Sequence, residues 1–275
     1  YQGMTEDKWL ATYLMQAAGI PVPPIVAVFD ATDRNFLITP KVSSPDELHS
    51  FLGTTEFPLF GKPNHGLGSF GAFLLNGYDG QRVTVHTGDA YDIDDFVSTW
   101  FGKDTYVLQN RISNHPNLAQ LSSHLITVRV GILNDGERVS IPACCAKIPA
   151  GENIADNFWR PGNFIAALDP ESGRVERMRI RQNGRVTDCT PEQFPVALED
   201  IRFPFWDQLP HLAQECAHLF HAAKYASLDV AFTPDGPVVV EANTGGAWEL
   251  FQFASGKGFL TDEVIEFFRR SGVDL

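Results

Sequence analysis

The chemistry-bearing residues near the C-terminal end are Asp229, Glu241 and Asn243. In the stretch VVVEANTGG, Val238–Gly246, three valines run directly into a carboxylate, and an amide follows two places later. Side chains alternate across a strand, so Glu241 and Asn243 share one face. Asp229 lies on the preceding apolar run, LDVAF, across the turn residues TPDG. A three-residue loop places Asp229 directly opposite Glu241. A two-residue loop pairs it with Ala242 and turns its carboxylate to the other face. In the first register two carboxylates and an amide oxygen converge, and close carboxylates repel unless a cation or proton lies between them. Mg²⁺ takes such donors together with waters and substrate phosphates. The plainer alternative is a solvated hairpin end with its acids facing water. The adjoining apolar runs place these acids at the rim of a buried sheet.

A second candidate lies in FPLFGKPNHGLGSFGAFLL. It contains Gly66-x-Gly68-x-x-Gly71, but a strand pattern follows where a dinucleotide fingerprint needs a helix. It is not a GxxxxGK[ST] loop either. Strand, glycine loop, strand describes a flap whose backbone N–H groups can close over phosphates. Lys62, just before it, can reach the same phosphates as a point charge. The lysine precedes the loop, and neither an HRD nor a DFG motif is present, so the protein-kinase arrangement is excluded. The alternative use is a purely structural glycine hairpin.

The elements around these residues read as mixed. A first helix is expected from about Thr5 to Ala18, stopped by Gly19. IVAVF and FLIT read as short strands, and Ser44-Pro45-Asp46-Glu47 opens a capped helix. FPLFGK, AFLL, TYVLQNRI, LITVRVGIL and VSIPACCAKI read as strands, with a short helix over Asp92–Trp100. Pro149–Asn163 is a polar loop. A strand-rich piece follows, then a helical pattern over Trp206–Tyr225, the hairpin, and a last helix capped by Thr261. Trp248 and Phe251 can line a pocket or pack in the core. His115 and His124 read as structural. Short links between strands indicate an α+β class with antiparallel sheets.

Composition sets outer limits. The chain has 275 residues, 44% apolar and 20% charged, the balance of a globular protein. Acids outnumber bases by 34 to 21, which argues against broad nucleic-acid or anionic-membrane surfaces. No run approaches the ~20 apolar residues of a membrane span. No basic leader precedes an apolar run. Cys144, Cys145, Cys189 and Cys216 show no CxxC spacing and read as reduced thiols of a cytoplasmic protein. The chain opens on Tyr1 and not Met, which suggests a trimmed N-terminal segment.

Taken in order, the motifs resemble the ATP-grasp superfamily, most closely its sugar-transfer-associated branch. DKWLATYLMQAAGIPVP is similar to the opening of D-alanine ligase-like enzymes. FPLFGKPNHGLGSFG is similar to their lysine strand and flap, YVLQNRISNHPNLAQL to an interlobe hinge, LITVRVGIL to the strand after it, and LDVAFTPDGPVVVEANTGG to the metal hairpin. The resemblance implies two α/β lobes, 1–110 and 111–275, with mainly antiparallel sheets clamping a nucleotide, and a preceding domain absent or trimmed. It makes Lys8 and Lys62 phosphate ligands, with His65, Gly66, Gly68, Ser69 and Gly71 as the flap. Gln109, Asn110, Arg111 and Ile112 would read adenine, and Asp229, Glu241 and Asn243 would hold Mg²⁺.

The implied activity is an ATP-dependent carboxylate–amine ligase forming an acyl phosphate, with a small-molecule acid and an amine as partners. A homodimer is compatible with it. A small-molecule kinase on the same fold and a non-catalytic ATP-binding protein of a polysaccharide or natural-product pathway are the alternatives. One departure matters: D-alanine ligase-like enzymes carry arginine two residues before the metal aspartate, where this chain has Ser227. Stabilising charge must then come from Arg129, Lys147 or Arg160.

Overall fold

A computed structural model describes residues 2–66, 68–194 and 196–273. The chain divides into two compact units, one comprising residues 6–9 and 23–112, the other 1–5, 10–22 and 113–275. The long opening helix is in fact two, α1 (Gln2–Glu6) and α2 (Lys8–Ala17), broken at Asp7. Asp7 is drawn out of helical use by Arg34 at 2.5 Å and by the Asn64 amide at 3.0 Å. Asn64, wholly buried, then caps α2: its backbone oxygen accepts from Lys8 N–H and its Oδ1 from Trp9 N–H.

The smaller unit is a seven-stranded sheet. Its strands are β1 (Ile25–Phe29), β2 (Lys41–Val42), β3 (Leu59–Pro63), β4 (Phe73–Tyr78), β5 (Arg82–Val85), β6 (Ala90–Asp92) and β7 (Tyr106–Asn110), in the order β2-β1-β7-β3-β4-β5-β6. The β1–β2 pair is parallel and the others are antiparallel. Helices α3 (Pro45–Leu52) and α4 (Ile93–Phe96, continued by a π turn to Phe101) cover it. Ser44 caps α3, accepting from Glu47 N–H. FLIT is not a strand. It is a turn in which Leu37 takes φ 52° and Ile38 is 85% exposed, because the strand that pairs with β1 starts later, at Lys41. The core is packed to contact at Gly61: a Cβ there would lie 2.2 Å from the buried Phe73 ring. Gly61→Ala is therefore expected to cost about 1–3 kcal/mol by overpacking, read as a lower midpoint in urea unfolding.

From residue 113 on, the larger unit has α5 (Pro116–Ala119) and carries an eight-stranded sheet. Its strands are β8 (Thr127–Asn134), β9 (Val139–Ser140), β10 (Cys144–Ile148), β11 (Phe164–Leu168), β12 (Val175–Gln182), β13 (Arg185–Asp188), β14 (Tyr225–Thr233) and β15 (Gly236–Thr244), in the order β13-β12-β11-β10-β8-β14-β15 with β9 beside β8. α6 (Leu209–Leu219) packs on one face with Val128, Val130, Leu228, Val230 and Val239. It ends at Leu219, short of the expected Tyr225. α7 (Glu249–Ser255) and α8 (Asp262–Arg270) bury Leu133, Cys145, Ile165 and Ala167 on the other face. Thr261 caps α8. Phe251 and Trp248 pack in this second core, and Phe251 sits over Gly131. His115 caps α5 and meets Phe205 edge-on, a structural role.

Candidate functional site

The hairpin brings Asp229 and Glu241 opposite each other, by a route the turn residues do not announce. Thr233 pairs with Gly236, so Pro234 and Asp235 form a two-residue turn. That register alone would set Asp229 against Val240. A β-bulge between Asp229 and Val230 on the β14 side, with Val240 as the extra residue of β15, shifts pairing by one place and gives Asp229–Glu241. The bulge also explains why Val239 and Ala242, three apart, both reach the same core. Asn243 then pairs with Ser227.

Pairing extends this position into a row across the sheet. Asp229 faces Arg129 on β8, which pairs with Cys145 on β10, then Ala167 on β11 and Arg177 on β12. Lys147 lies two residues along β10 from Cys145, on the same face. The result is a buried quartet. Arg129 grips Asp229 with two parallel bonds, Nε to Oδ1 at 2.9 Å and Nη2 to Oδ2 at 2.8 Å. Lys147 Nζ lies 3.0 Å from Asp229 Oδ2 and 3.0 Å from Asp156 Oδ2. Thr127 donates its hydroxyl to the same Asp156 oxygen.

Two acids and two bases thus cancel in a place water scarcely reaches. Burial alone would raise the Asp229 carboxyl; Arg129 and then Lys147 outweigh it and hold it well below the usual carboxylate range. Burial would lower Lys147, but Asp156 and Asp229 keep it above the usual ammonium value. Arg129 is likewise raised against its burial, by Asp229 first and also by Glu241, whose charge reaches this cluster. Cys145 is pushed up to about 12 by burial, so it is a thiol and not a nucleophile.

Hard oxygen donors for a divalent ion remain on β15. Glu241 is half-buried on this edge strand, and Asn243 Nδ2 is buried without a partner. Turning that amide about its Cβ–Cγ bond presents its oxygen in the nitrogen's place, so Glu241 and Asn243 suit Mg²⁺. Asp229 can join them by loosening its contacts to Arg129 or Lys147. No group of three or more His, Cys, Asp or Glu suited to a metal occurs among the described residues.

The other predicted residues, Arg160 apart, lie on the smaller unit. Lys62 is buried on β3, 8% exposed. Lys8 Nζ donates to the Gly66 carbonyl at 2.7 Å, so it reaches the glycine loop itself. Gly68, Ser69 and Gly71 all take left-handed backbone, φ 68°, 58° and 76°, and His65 and Phe70 are exposed. Leu67 of that loop lies outside the described residues. In the stretch 109–112, Gln109 is buried and its amide donates to the Pro23 carbonyl at 3.1 Å. Asn110 N–H donates to Pro24 and Arg111 N–H to Pro58, while both side chains are exposed. Arg160 is half-buried in the 149–163 loop, with its N–H donating to the Asn157 carbonyl.

Sequence reasoning missed Asp156 and Thr127. Asp156 opens the DNFWRPGN stretch, but only folding places it against Lys147. The wholly buried Asn163 fixes this loop, donating to the Ala155 and Asn157 carbonyls and accepting from Ala150 N–H and the Asn153 amide.

Comparison with known proteins follows the same lines. The model of the sugar-transfer-associated ATP-grasp family matches residues 3–266. No curated protein matches the chain. Similar solved structures include the VanG D-Ala:D-Ser ligase from Enterococcus faecalis, at TM-score 0.52 and 15% identity over 96% of this chain and 62% of that one. The D-alanine–D-alanine ligase from Bacillus anthracis matches at 0.51 and 17%, over 98% and 70%. The biotin carboxylase domain of the Hydrogenobacter thermophilus 2-oxoglutarate carboxylase, solved with MgADP and bicarbonate, matches at 0.51 and 13%, over 99% and 47%. The chain thus spans about half of one of these structures and up to 70% of another. They share its α+β ATP-grasp fold.

Proposed function

From the premise that this chain belongs to the sugar-transfer-associated ATP-grasp family, we propose that it is an ATP-dependent carboxylate–amine ligase. ATP phosphorylates a carboxylate to an acyl phosphate, releasing ADP, and an amine displaces phosphate to form an amide. The observation that carries this reading is the Asp229–Glu241 register, secured by a bulge, beside two buried cations. A hairpin of purely structural use has no need to gather carboxylates, guanidinium and ammonium on one buried face, where unpaired charges cost several kcal/mol each.

Each group has a task suited to its chemistry. Glu241 and Asn243, with Asp229 when released, would hold Mg²⁺, which supplies charge neutralisation at the phosphates. Lys8 and Lys62 bind phosphate oxygens as point charges, and the left-handed loop around Gly68–Gly71 offers backbone N–H groups. Gln109, Asn110, Arg111 and Ile112 border the adenine. Arg129 and Lys147 offset negative charge on the acyl phosphate, with Arg160 as a loop cation that meets the acid. Catalysis is then positioning and electrostatics, with no side-chain nucleophile.

The test is an ADP-release screen over a panel of carboxylic acids paired with amines. ADP release dependent on both partners is expected. A phosphorylated product stable without amine would indicate a kinase instead. A second reading has its own support: the complete pairing of Asp229 by Arg129 and Lys147 also suits a protein that binds ATP without turnover. Tight ATP binding with no ADP from any pair would establish that one.

A further inference from the structure

Lys147 divides its ammonium between two carboxylates at equal distance, 3.0 Å to Asp156 and 3.0 Å to Asp229. Asp229 is the hairpin residue that faces Glu241. Asp156 is not on the sheet at all; it belongs to the 149–163 loop, which the buried Asn163 holds in one shape. The cluster is almost closed to water, with side-chain exposures of 6% for Lys147, 5% for Asp229, 12% for Arg129 and 17% for Asp156. Water cannot redistribute charge there, so the position of Lys147 is decided by which acids compete for it.

We infer that Asp156 is a positioning residue that shares Lys147 with Asp229 and so weakens the ammonium's hold on the Asp229 carboxylate enough for a divalent cation beside Glu241 to claim it. This rests on the magnesium reading of the hairpin given above. Asp156 takes a share of the ammonium, and the Thr127 hydroxyl fixes the oxygen that does so. If Asp156 loses its charge, Lys147 has only Asp229 to neutralise it. The ammonium then rests on Asp229 Oδ2 alone and would compete more strongly with a metal for that carboxylate. The loop and the hairpin are in this way linked through one lysine, and a carboxylate absent from β14 and β15 tunes the donors on both.

The experiment measures Mn²⁺ affinity in the presence of ADP, by electron paramagnetic resonance of free Mn²⁺, for wild type, Asp156→Asn, Lys147→Met and the double variant. Asp156→Asn is expected to weaken Mn²⁺ binding by about tenfold, the size typical of partners that orient metal ligands. The double variant removes the competing ammonium together with its keeper, and is expected to restore affinity to near the wild-type value. Urea unfolding of the same proteins separates out a role in folding alone, which would move the unfolding midpoint and leave the Mn²⁺ affinity of the folded protein unchanged. Asp156→Asn with wild-type affinity, or a double variant as weak as the single one, overturns the inference. Should Asp156→Asn fail to fold, Thr127→Val loosens the same oxygen without removing charge; weaker Mn²⁺ binding is expected, and unchanged binding overturns the inference. Glu241→Ala run alongside separates the two readings. If it binds Mn²⁺ as wild type does, the magnesium assignment itself has failed, whatever the Asp156 variants do.

Discussion

Glu241→Ala is expected to cut ADP release by about a hundredfold or more, a loss of the kind seen when one preorganised electrostatic group is removed from a reacting centre. The fold should be almost indifferent to the change. Glu241 is half-buried and sits on β15, the edge strand of its sheet. The core contacts of β15 are made by Val239 and Ala242, which point into the other core and are untouched. An edge-strand substitution of this kind changes stability by roughly 1 kcal/mol or less. The measurement is a coupled assay of ADP with the acid and amine that support turnover, alongside urea unfolding of both proteins. Activity lost with an unchanged unfolding midpoint supports a ligand role for Glu241. Turnover at the wild-type rate would remove the magnesium assignment, because no other carboxylate on β15 could substitute: its remaining side chains are apolar, amide or hydroxyl.

Much of the architecture was legible because it rests on local rules. Alternation along VVVEAN and LDVAF is enough to identify two strands and to put Glu241 and Asn243 on one face. The Ser44-Pro45 and Thr261 caps were readable because a side-chain oxygen three residues before a free N–H is a short-range signal. What could not be read depends on distant parts of the chain. The break of the opening helix at Asp7 is imposed by Arg34 and Asn64, which lie 27 and 57 residues away in sequence. FLIT has a strand's composition, yet β1 takes its parallel partner from Lys41–Val42 instead.

The hairpin shows both cases at once. The face shared by Asp229 and Glu241 follows from an odd offset, which the sequence allows. A three-residue loop and a two-residue turn with a bulge both supply that offset, and TPDGPVVVE does not distinguish them. In the candidate site, the acids, amide and lysines stand out by type. The quartet and its Thr127 donor do not, since Thr127, Arg129, Lys147, Asp156 and Asp229 come from three strands and a loop, and only sheet order makes them neighbours.

Asp229→Ala should behave quite differently from Glu241→Ala, although both residues are assigned to the same ion. Asp229 is buried and accepts two bonds from Arg129 and one contact from Lys147. Removing one partner of a buried ion pair costs about 3–5 kcal/mol, because the charge left behind has neither water nor a counter-ion. The stranded charge is that of Arg129, since Lys147 keeps Asp156. Two consequences separate this account from a general loss of packing. First, Asp229→Leu combined with Arg129→Met is expected to recover most of the stability, because the uncompensated cation goes with its partner. Second, the penalty should depend on pH in a definite direction. The folded-state carboxyl is held below its ordinary value, so its stabilisation is fully present above the unfolded value near ~4 and is lost as pH falls through the folded one. The gap between wild type and Asp229→Ala is therefore expected to be constant from neutral pH to about pH 5 and to narrow below about pH 4. Urea unfolding of the three proteins across that range measures it. A gap that stays constant to the lowest pH, or a double variant no more stable than the single one, would mean that Asp229 is not paired as the quartet requires.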